Sequence, residues 1–460
     1  MRGQGSLFRR VTLVAGLAFA SNGLTLGVLS YALLGLRNAW NLTPGQASAI
    51  TMAAGAGQLV GGVVMGHTAD VIGRRLGYGF TIALTALATG IAALAPSLAW
   101  LILLMFLSGV GFGGVAPVAT SLVGEFAPRQ HRGQMMGWTQ AIWILGWIAA
   151  AAGGVFLVHG LGWRGVFAIG ILPIVLAVLG PRLVPESPRF LLSHGRRREA
   201  EALVTLLRER YGSILELPAQ EQAHPASIAA QLREFWSPRF RRSTVLVWTV
   251  WFVMIGAYNG PVLWLPAMMS AGGFAHAAEA AFVVGLASLP LTVTSTLLLD
   301  RVGRKPVIIA ALSLGAVGAL GVAVARTEPV FVLAGIGLSG GTLAAWPVIL
   351  TYAAELYPTR IRATAIGWAS AAGRSAGILA PAMLGILMSS WSHGRGPAMV
   401  VFAVGLAGAA LLVLFLGEET AGRSLEEIAE VGAPSVAAPP RTPGRHAGAC
   451  AASIESTGSG

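Results

Sequence analysis

Two short strings of charge occur twice in this sequence at one spacing. Asp70-Val-Ile-Gly73-Arg74-Arg75 returns 230 residues later as Asp300-Arg-Val-Gly303-Arg304-Lys305, and these two aspartates are the only ones in the chain. Glu125-x-x-Pro128-x-x-x-Arg132 returns at the same offset as Glu355-x-x-Pro358-x-x-x-Arg362, each followed by Gly-Trp, at Gly137-Trp138 and Gly367-Trp368. Carboxylates and guanidiniums in this pattern suit ion pairs and helix ends. A carboxylate three residues before a glycine and two cations can face the positive N-terminus of a neighbouring helix, while the cations reach nearby acids. A third candidate stands apart. Arg374 lies 12 residues past Arg362, roughly 18 Å along a helix at 1.5 Å per residue. Its planar fork suits a carboxylate. Nothing in the chain reads as a Walker loop, a nucleophile with its base or a metal-ligand cluster, so an enzyme is not expected and neither is a cofactor or metal.

The elements that must hold these groups are apolar. The chain is 55% hydrophobic and 11% charged with a mean hydropathy of +0.71, whereas soluble domains carry about 25% charged residues. Apolar runs near the ~18-residue length that crosses a bilayer recur near 11–36, 47–66, 76–95, 98–119, 134–157, 164–183, 244–268, 277–298, 306–326, 329–352, 363–389 and 397–417. The fold class is therefore an all-α membrane protein. The internal repeat makes it two pseudo-symmetric six-helix bundles, twelve transmembrane helices in all, the two-fold construction of secondary transporters. Residues 1–183 form the first bundle and 244–417 the second, with a cytoplasmic loop at 184–243 and a largely disordered tail at 418–460. Within the loop, 196–210 alternates charged and apolar positions at helical spacing and predicts a surface helix.

Arg9-Arg10 before an apolar stretch imitates a cleavable signal, but the run continues to Leu36 and reads as an uncleaved first span. Cys450 is the only cysteine, so no disulfide framework or cysteine metal site is available. The net charge of +12 is spread over short loops rather than gathered on one face, which excludes nucleic acid as a partner. Of 31 basic residues, 26 fall in the N-terminus, the even-numbered loops and the tail, and four, Arg37, Arg164, Arg326 and Arg395, in the opposite loops. The positive-inside rule places both termini in the cytoplasm.

Gly66-His-Thr-Ala-Asp70-Val-Ile-Gly73-Arg74-Arg75 and its copy resemble the loop signature of the major facilitator superfamily. Pro185-Glu-Ser-Pro-Arg-Phe190 and Glu419-Thr-Ala-Gly-Arg-Ser-Leu-Glu-Glu427 are similar to sugar porter signatures, shared with organic-acid and nicotinate carriers. The resemblance implies alternating access, with Asp70, Arg74, Glu125 and Arg132, and their counterparts Asp300, Arg304, Glu355 and Arg362, biasing the equilibrium by clipping the bundles together. The chain departs from the pattern at Val71 and Thr296. It also has Asn22-Gly-Leu-Thr25-Leu-Gly-Val-Leu-Ser30 where organic-acid carriers have two aspartates, and Met105 where they commonly carry arginine. Gly373-Arg374-x-x-Gly377-x-x-x-Pro381 resembles the eleventh span of those carriers. Gln140 matches a sugar-porter glutamine, yet Gly256-Ala-Tyr258-Asn259 replaces the paired glutamines of that group.

The candidate substrate-binding residues are thus Arg374, Asn22, Thr25, Gln140, Tyr258, Asn259 and Trp346. Gly57-x-x-x-Gly61 and Gly62-x-x-x-Gly66 should let helices pack closely. The resemblance implies a secondary transporter in the cytoplasmic membrane, a monomer whose partners are the lipid bilayer and a small-molecule substrate. An arginine at mid-span favours an organic anion, such as an aromatic or heterocyclic carboxylate. The alternatives are a sugar or polyol facilitator, a drug exporter, or, in a different class, a nutrient sensor without turnover. The topology is directly testable: a reporter active only in the cytoplasm, fused at the tail, should be active, and periplasmic signal there would break the twelve-span arrangement.

Overall fold

The computed structural model describes residues 4–126, 132–158, 160–211, 233–299, 301–357, 359–388 and 394–420. The first bundle contains α1 (Gln4–Trp40), α2 (Pro44–Ile72), α3 (Arg74–Ile91), α4 (Leu98–Phe126), α5 (Arg132–Val158) and α6 (Gly162–Leu183). Two shorter helices follow, α7 (Pro188–Ser193) and α8 (Arg197–Tyr211). The second bundle contains α9 (Arg241–Ala271), α10 (Ala277–Leu298), α11 (Arg304–Val324), α12 (Glu328–Leu356), α13 (Thr359–Leu387) and α14 (Arg395–Leu416). Eleven of these helices are long and apolar enough to cross a membrane, and α5, with its apolar stretch Ile142–Leu157, supplies the twelfth. In hydrocarbon the backbone must satisfy itself, and helices do so within each segment. Apolar side chains remain exposed on the outside, as at Phe156 and Ile386. A lipid-facing surface has no reason to hide them.

Local chemistry sets the helix ends. Thr43 caps α2: its Oγ1 accepts from the Gln46 amide at 3.2 Å and the Gln46 side chain accepts from the Thr43 amide at 3.0 Å, with Pro44 in the first turn. Gly73 and Gly303 precede α3 and α11 with φ of 100° and 109°, a left-handed conformation that side chains resist. α8 buries Ala200, Val204 and Leu207 and leaves the pairs Arg196–Glu199 (2.6 Å) and Arg197–Glu201 (2.9 Å) in solvent. Leu207 joins the apolar core that includes Val11 and Val14 of α1, so α8 lies under the first bundle.

Within that bundle α2 and α4 meet backbone to backbone. A Cβ on Gly57 would stand 2.1 Å from the Phe106 carbonyl oxygen, and one on Gly61 1.9 Å from that of Val110. This glycine pair acts as the sequence suggested. Gly62 and Gly66 do not: Gly62 faces Arg374 of the other bundle, and Gly66 meets only Pro117 at ordinary contact distance.

The face that carries the doubled motifs will be called the motif face. The bundles touch mainly away from it. Ser30 Oγ of α1 donates to the Leu263 carbonyl of α9 at 2.6 Å, and Arg37 reaches Ser270 at 3.2 Å. α2 lies on α13, where a Cβ on Gly55 would be 2.4 Å from the Gly377 carbonyl oxygen, and Gly385 packs on Ser48. Between these contacts α9 bends: Tyr258–Val262 forms a widened turn with Gly260 at φ −82°, ψ −105°, ahead of Pro261, which has no N–H to donate.

Gly61→Leu therefore has no room and should cost about 1–3 kcal/mol through overpacking. Gly408→Leu, where a Cβ meets nothing within 4 Å, should change stability by less than about 0.5 kcal/mol. Thermal unfolding of the two variants in detergent measures the difference.

Candidate functional site

On the motif face, a carboxylate sits at the N-terminus of the third helix of each bundle. The amides of Arg304 and Lys305 donate to Glu419 at 2.9 and 3.1 Å, and the amide of Arg75 donates to Glu186 at 3.2 Å. The geometry explains both glycines, because a Cβ on Gly73 or Gly303 would stand 2.5 Å from the oxygen of Glu186 or Glu419 respectively. Negative charge belongs at that end of a helix. Sequence reasoning gave this place to the aspartate, and the structure gives it to the glutamates of the Pro185 and Glu419 signatures. Asp70 instead pairs with Arg74.

In the second bundle Arg304 holds Glu355 of α12 bidentately, Nε to Oε2 at 3.1 Å and Nη2 to Oε1 at 2.9 Å, and also donates to the Leu299 carbonyl at 3.1 Å. Thr420 Oγ1 donates to the same carboxylate at 2.5 Å. The described motif contacts thus tie helices of one bundle together, where the sequence suggested a clip between bundles. Asp300 and the side chains of Glu125, Arg132 and Arg362 lie outside the described residues.

The second site lies mid-span between the bundles. Arg374 of α13 reaches across to α4, where Nη2 donates to the Gly113 carbonyl at 3.3 Å. Nη1 lies over Gly62 of α2, where a Cβ would be 1.8 Å away. Among the described residues no carboxylate pairs with it. One residue along α4, the Phe112 carbonyl accepts Asn22 Nδ2 at 3.1 Å, leaving the buried Asn22 Oδ1 without a partner. Asn22 and Arg374 therefore converge on consecutive carbonyls of one helix.

An aromatic group joins α5 of the first bundle to α9 of the second. Trp143 and Trp147 of α5 stack with centroids 6.0 Å apart and planes at 16°, and Tyr258 of α9 crosses both at 5.9 Å. The Tyr258 hydroxyl is buried without a partner. Gly285 of α10 admits the Trp147 indole nitrogen, 3.0 Å from where a Cβ would be. Stacked rings crossed by a ring with an unpaired hydroxyl can grip a flat ligand and orient its edge.

The other candidates are less engaged. Thr25 gives its hydroxyl to the Ser21 carbonyl at 2.9 Å, and Asn259 its amide to the Ile255 carbonyl at 3.1 Å, both within their own helices. Trp346 packs edge-on with Trp251 at 6.3 Å, and Trp251 lies against Gly373, next to Arg374. The Gln140 side chain lies outside the described residues. Sequence reasoning missed Trp143, Trp147 and Trp251. The repeat held the signal for the first two, because the counterpart of Arg374 at the 230-residue offset is Ile144, between two tryptophans four residues apart on one helix face.

A duplicated pair of six-helix bundles, with a guanidinium held mid-span between the halves, is the construction of a secondary transporter of the major facilitator superfamily, a carrier and not an enzyme. The profile of the family described as Sugar (and other) transporter matches residues 11–431, and the chain belongs to that family. It is 33% identical to the niacin transporter NiaP of Acinetobacter baylyi over 90% of this chain and 95% of that protein. It is 29% identical to the putative niacin/nicotinamide transporter NiaP of Bacillus subtilis over 91% of this chain and 98% of that protein. Among solved structures it is similar in fold to the xylose transporter XylE from E. coli in a partially occluded inward-open conformation, with a TM-score of 0.72 and 22% identity over 91% of this chain and 100% of that one.

The Arg304–Glu355 pair is less than one-fifth exposed on either side, so solvent screens it little. A double-mutant cycle with Arg304→Gln and Glu355→Gln should give a coupling of about 1.5–3 kcal/mol, the range for hydrogen bonds to charged groups. Thermal or denaturant unfolding of the four proteins measures it.

Proposed function

We propose that this carrier moves a small heterocyclic carboxylate of the niacin type across the cytoplasmic membrane, with the motif face in the cytoplasm. The observation that carries the reading is Arg374, a half-buried cation far from either end of its helix and facing backbone rather than acid. A charge at that depth costs about 2.5–3.5 kcal/mol on insertion scales. An anionic cargo offsets that cost by supplying the missing partner. The stacked Trp143 and Trp147 of the first bundle with Tyr258 of the second add a flat aromatic surface between the bundles, which suits a planar ring better than a pyranose. Niacin, a pyridine carboxylate, stands in the names of both bacterial relatives, and its neutral amide, nicotinamide, stands beside it in one of them.

The orientation follows from the arginine bias between loops. In this reading Asp70, Arg74, Glu125, Arg132, Asp300, Arg304, Glu355 and Arg362 set the balance between inward-facing and outward-facing states, each cluster fixing how the helices of its bundle meet the motif face. The carrier works as a monomer. No carboxylate or histidine lies near mid-span among the described residues, so coupling does not run through a mid-span protonatable side chain. Facilitation, or protonation of the cargo, takes its place.

Proteoliposome uptake of labelled nicotinate, nicotinamide, benzoate and xylose tests the reading. Nicotinate should be carried and should continue to equilibrate when the proton gradient is collapsed, while the amide binds poorly. Arg374→Lys should keep part of the affinity and lose the bidentate fork. Arg374→Gln should lose about 1.5–3 kcal/mol, a factor of roughly 10 to 150 in affinity. Xylose as the true cargo, or Arg374→Gln with unchanged nicotinate affinity, would refute the carboxylate reading.

A further inference from the structure

The partner of Arg374 is made by a proline. In a helix the carbonyl of residue 113 accepts from the N–H of residue 117, and residue 117 of α4 is proline, which has none. Pro117 therefore frees the Gly113 oxygen from its own helix. The guanidinium of Arg374 takes it from the opposite bundle, at 3.3 Å. The approach is open because residue 62 of α2 has no side chain: a Cβ there would stand 1.8 Å from Nη1. Three residues on two helices of the first bundle thus form a seat for one side chain of the second.

We propose that this seat is a latch that the cargo opens. Without substrate, Arg374 is parked on the Gly113 carbonyl and ties α13 to α2 and α4. The inference rests on the reading of the cargo as a carboxylate. A carboxylate in the central site offers the guanidinium two charged acceptors in fork geometry, two parallel N–H···O bonds with opposite charge in place of one bond to a neutral carbonyl. The guanidinium then leaves the first bundle for the cargo. One of the ties between the bundles is exchanged for a tie to substrate, which eases their rocking. A neutral analogue of the same shape cannot draw the guanidinium away, so it leaves the latch shut. Gly62 and Pro117 are in this account positioning residues for transport, touching neither substrate nor each other's function in the fold.

Parking also taxes affinity, because apparent binding weakens by the fraction of carriers whose site is competent. Removing the seat should remove the tax. Pro117→Ala returns an N–H to the Gly113 carbonyl, and Gly62→Ala pushes the guanidinium out without touching the proline. Each should bind nicotinate about three- to tenfold more tightly than wild type, if roughly 70–90% of substrate-free carriers are parked. A merely structural role would weaken binding or leave it alone.

The second readout is conformational. With Cys450→Ser as background, spin labels on cysteines at Ala39 and Ala275, exposed positions of the two bundles on the face opposite the motifs, report bundle separation. In the wild type, nicotinate should populate a longer label distance and its methyl ester should not. In both seat variants the longer distance should be present before any ligand is added. Wild-type affinity and distance in both seat variants, or equal shifts by nicotinate and ester in the wild type, overturn the latch. Arg374→Gln separates the two claims. Nicotinate bound as tightly as by wild type overturns the carboxylate reading and with it the substrate-driven release. Lost binding with an unchanged ligand-free distance leaves that reading standing and overturns the latch alone.

Discussion

Inside a bilayer only the protein can satisfy a polar group, and the arrangement of this chain follows from that constraint. Charges are pushed to the helix ends, where they pair with each other or with helix termini: Arg304 with Glu355, and Glu419 with the first amides of α11. Many hydroxyls within spans turn back on their own helices, as Thr25 does on Ser21 and Ser288 on Val284, while Ser30 reaches the Leu263 carbonyl of the other bundle. Polar atoms that find no such partner are then informative. Asn22 Oδ1, the Tyr258 hydroxyl and the guanidinium of Arg374, which reaches across to a backbone carbonyl, all belong to helices that line the gap between the bundles.

The same constraint gives proline and glycine their meaning. A mid-span proline leaves one carbonyl unfilled, and in water a solvent molecule would fill it. In hydrocarbon the carbonyl is met by another part of the protein, by an ordered water or by a local adjustment of the helix. Glycines set how near that part can come. Gly57 and Gly61 bring α2 against α4, and Gly62, one residue on, faces a different direction and admits the guanidinium of the other bundle. A single stretch of small residues therefore serves packing within a bundle on one face and contact between bundles on the other.

Much of the fold was legible because its signals are long and repeated. Twelve apolar runs and two motifs at one offset specify helix number and duplication with no appeal to tertiary contacts. The end clusters were half legible. The pairing of acids with arginines followed from residue types, but which acid caps α3 and α11 did not, since Glu186 and Glu419 come from segments 111 and 115 residues away from the amides they accept. The central site was least legible. Arg374 announced itself by charge in an apolar run, whereas Trp143 and Trp147 do not differ in type from interfacial or core tryptophans until the fold turns them toward Tyr258. Gly62 looked like helix packing because sequence shows that a side chain is missing and not what fills the space.

The two halves differ at mid-span positions. Pro117 has its counterpart at the 230-residue offset in Pro347, so each bundle carries a helix with one carbonyl released. The positions that would complete a second seat have diverged: Thr292 stands opposite Gly62 and Ile144 opposite Arg374. Thr292 returns its hydroxyl to the Ser288 carbonyl of its own helix, and Ile144 lies in sequence between the two tryptophans that stack. Duplication thus supplied the broken helix twice, and divergence placed the cation on the second bundle and the two stacked tryptophans on the first. A symmetric pair of guanidiniums would have repelled each other in a low-dielectric space and doubled the insertion cost. A single mid-span cation carries half that cost.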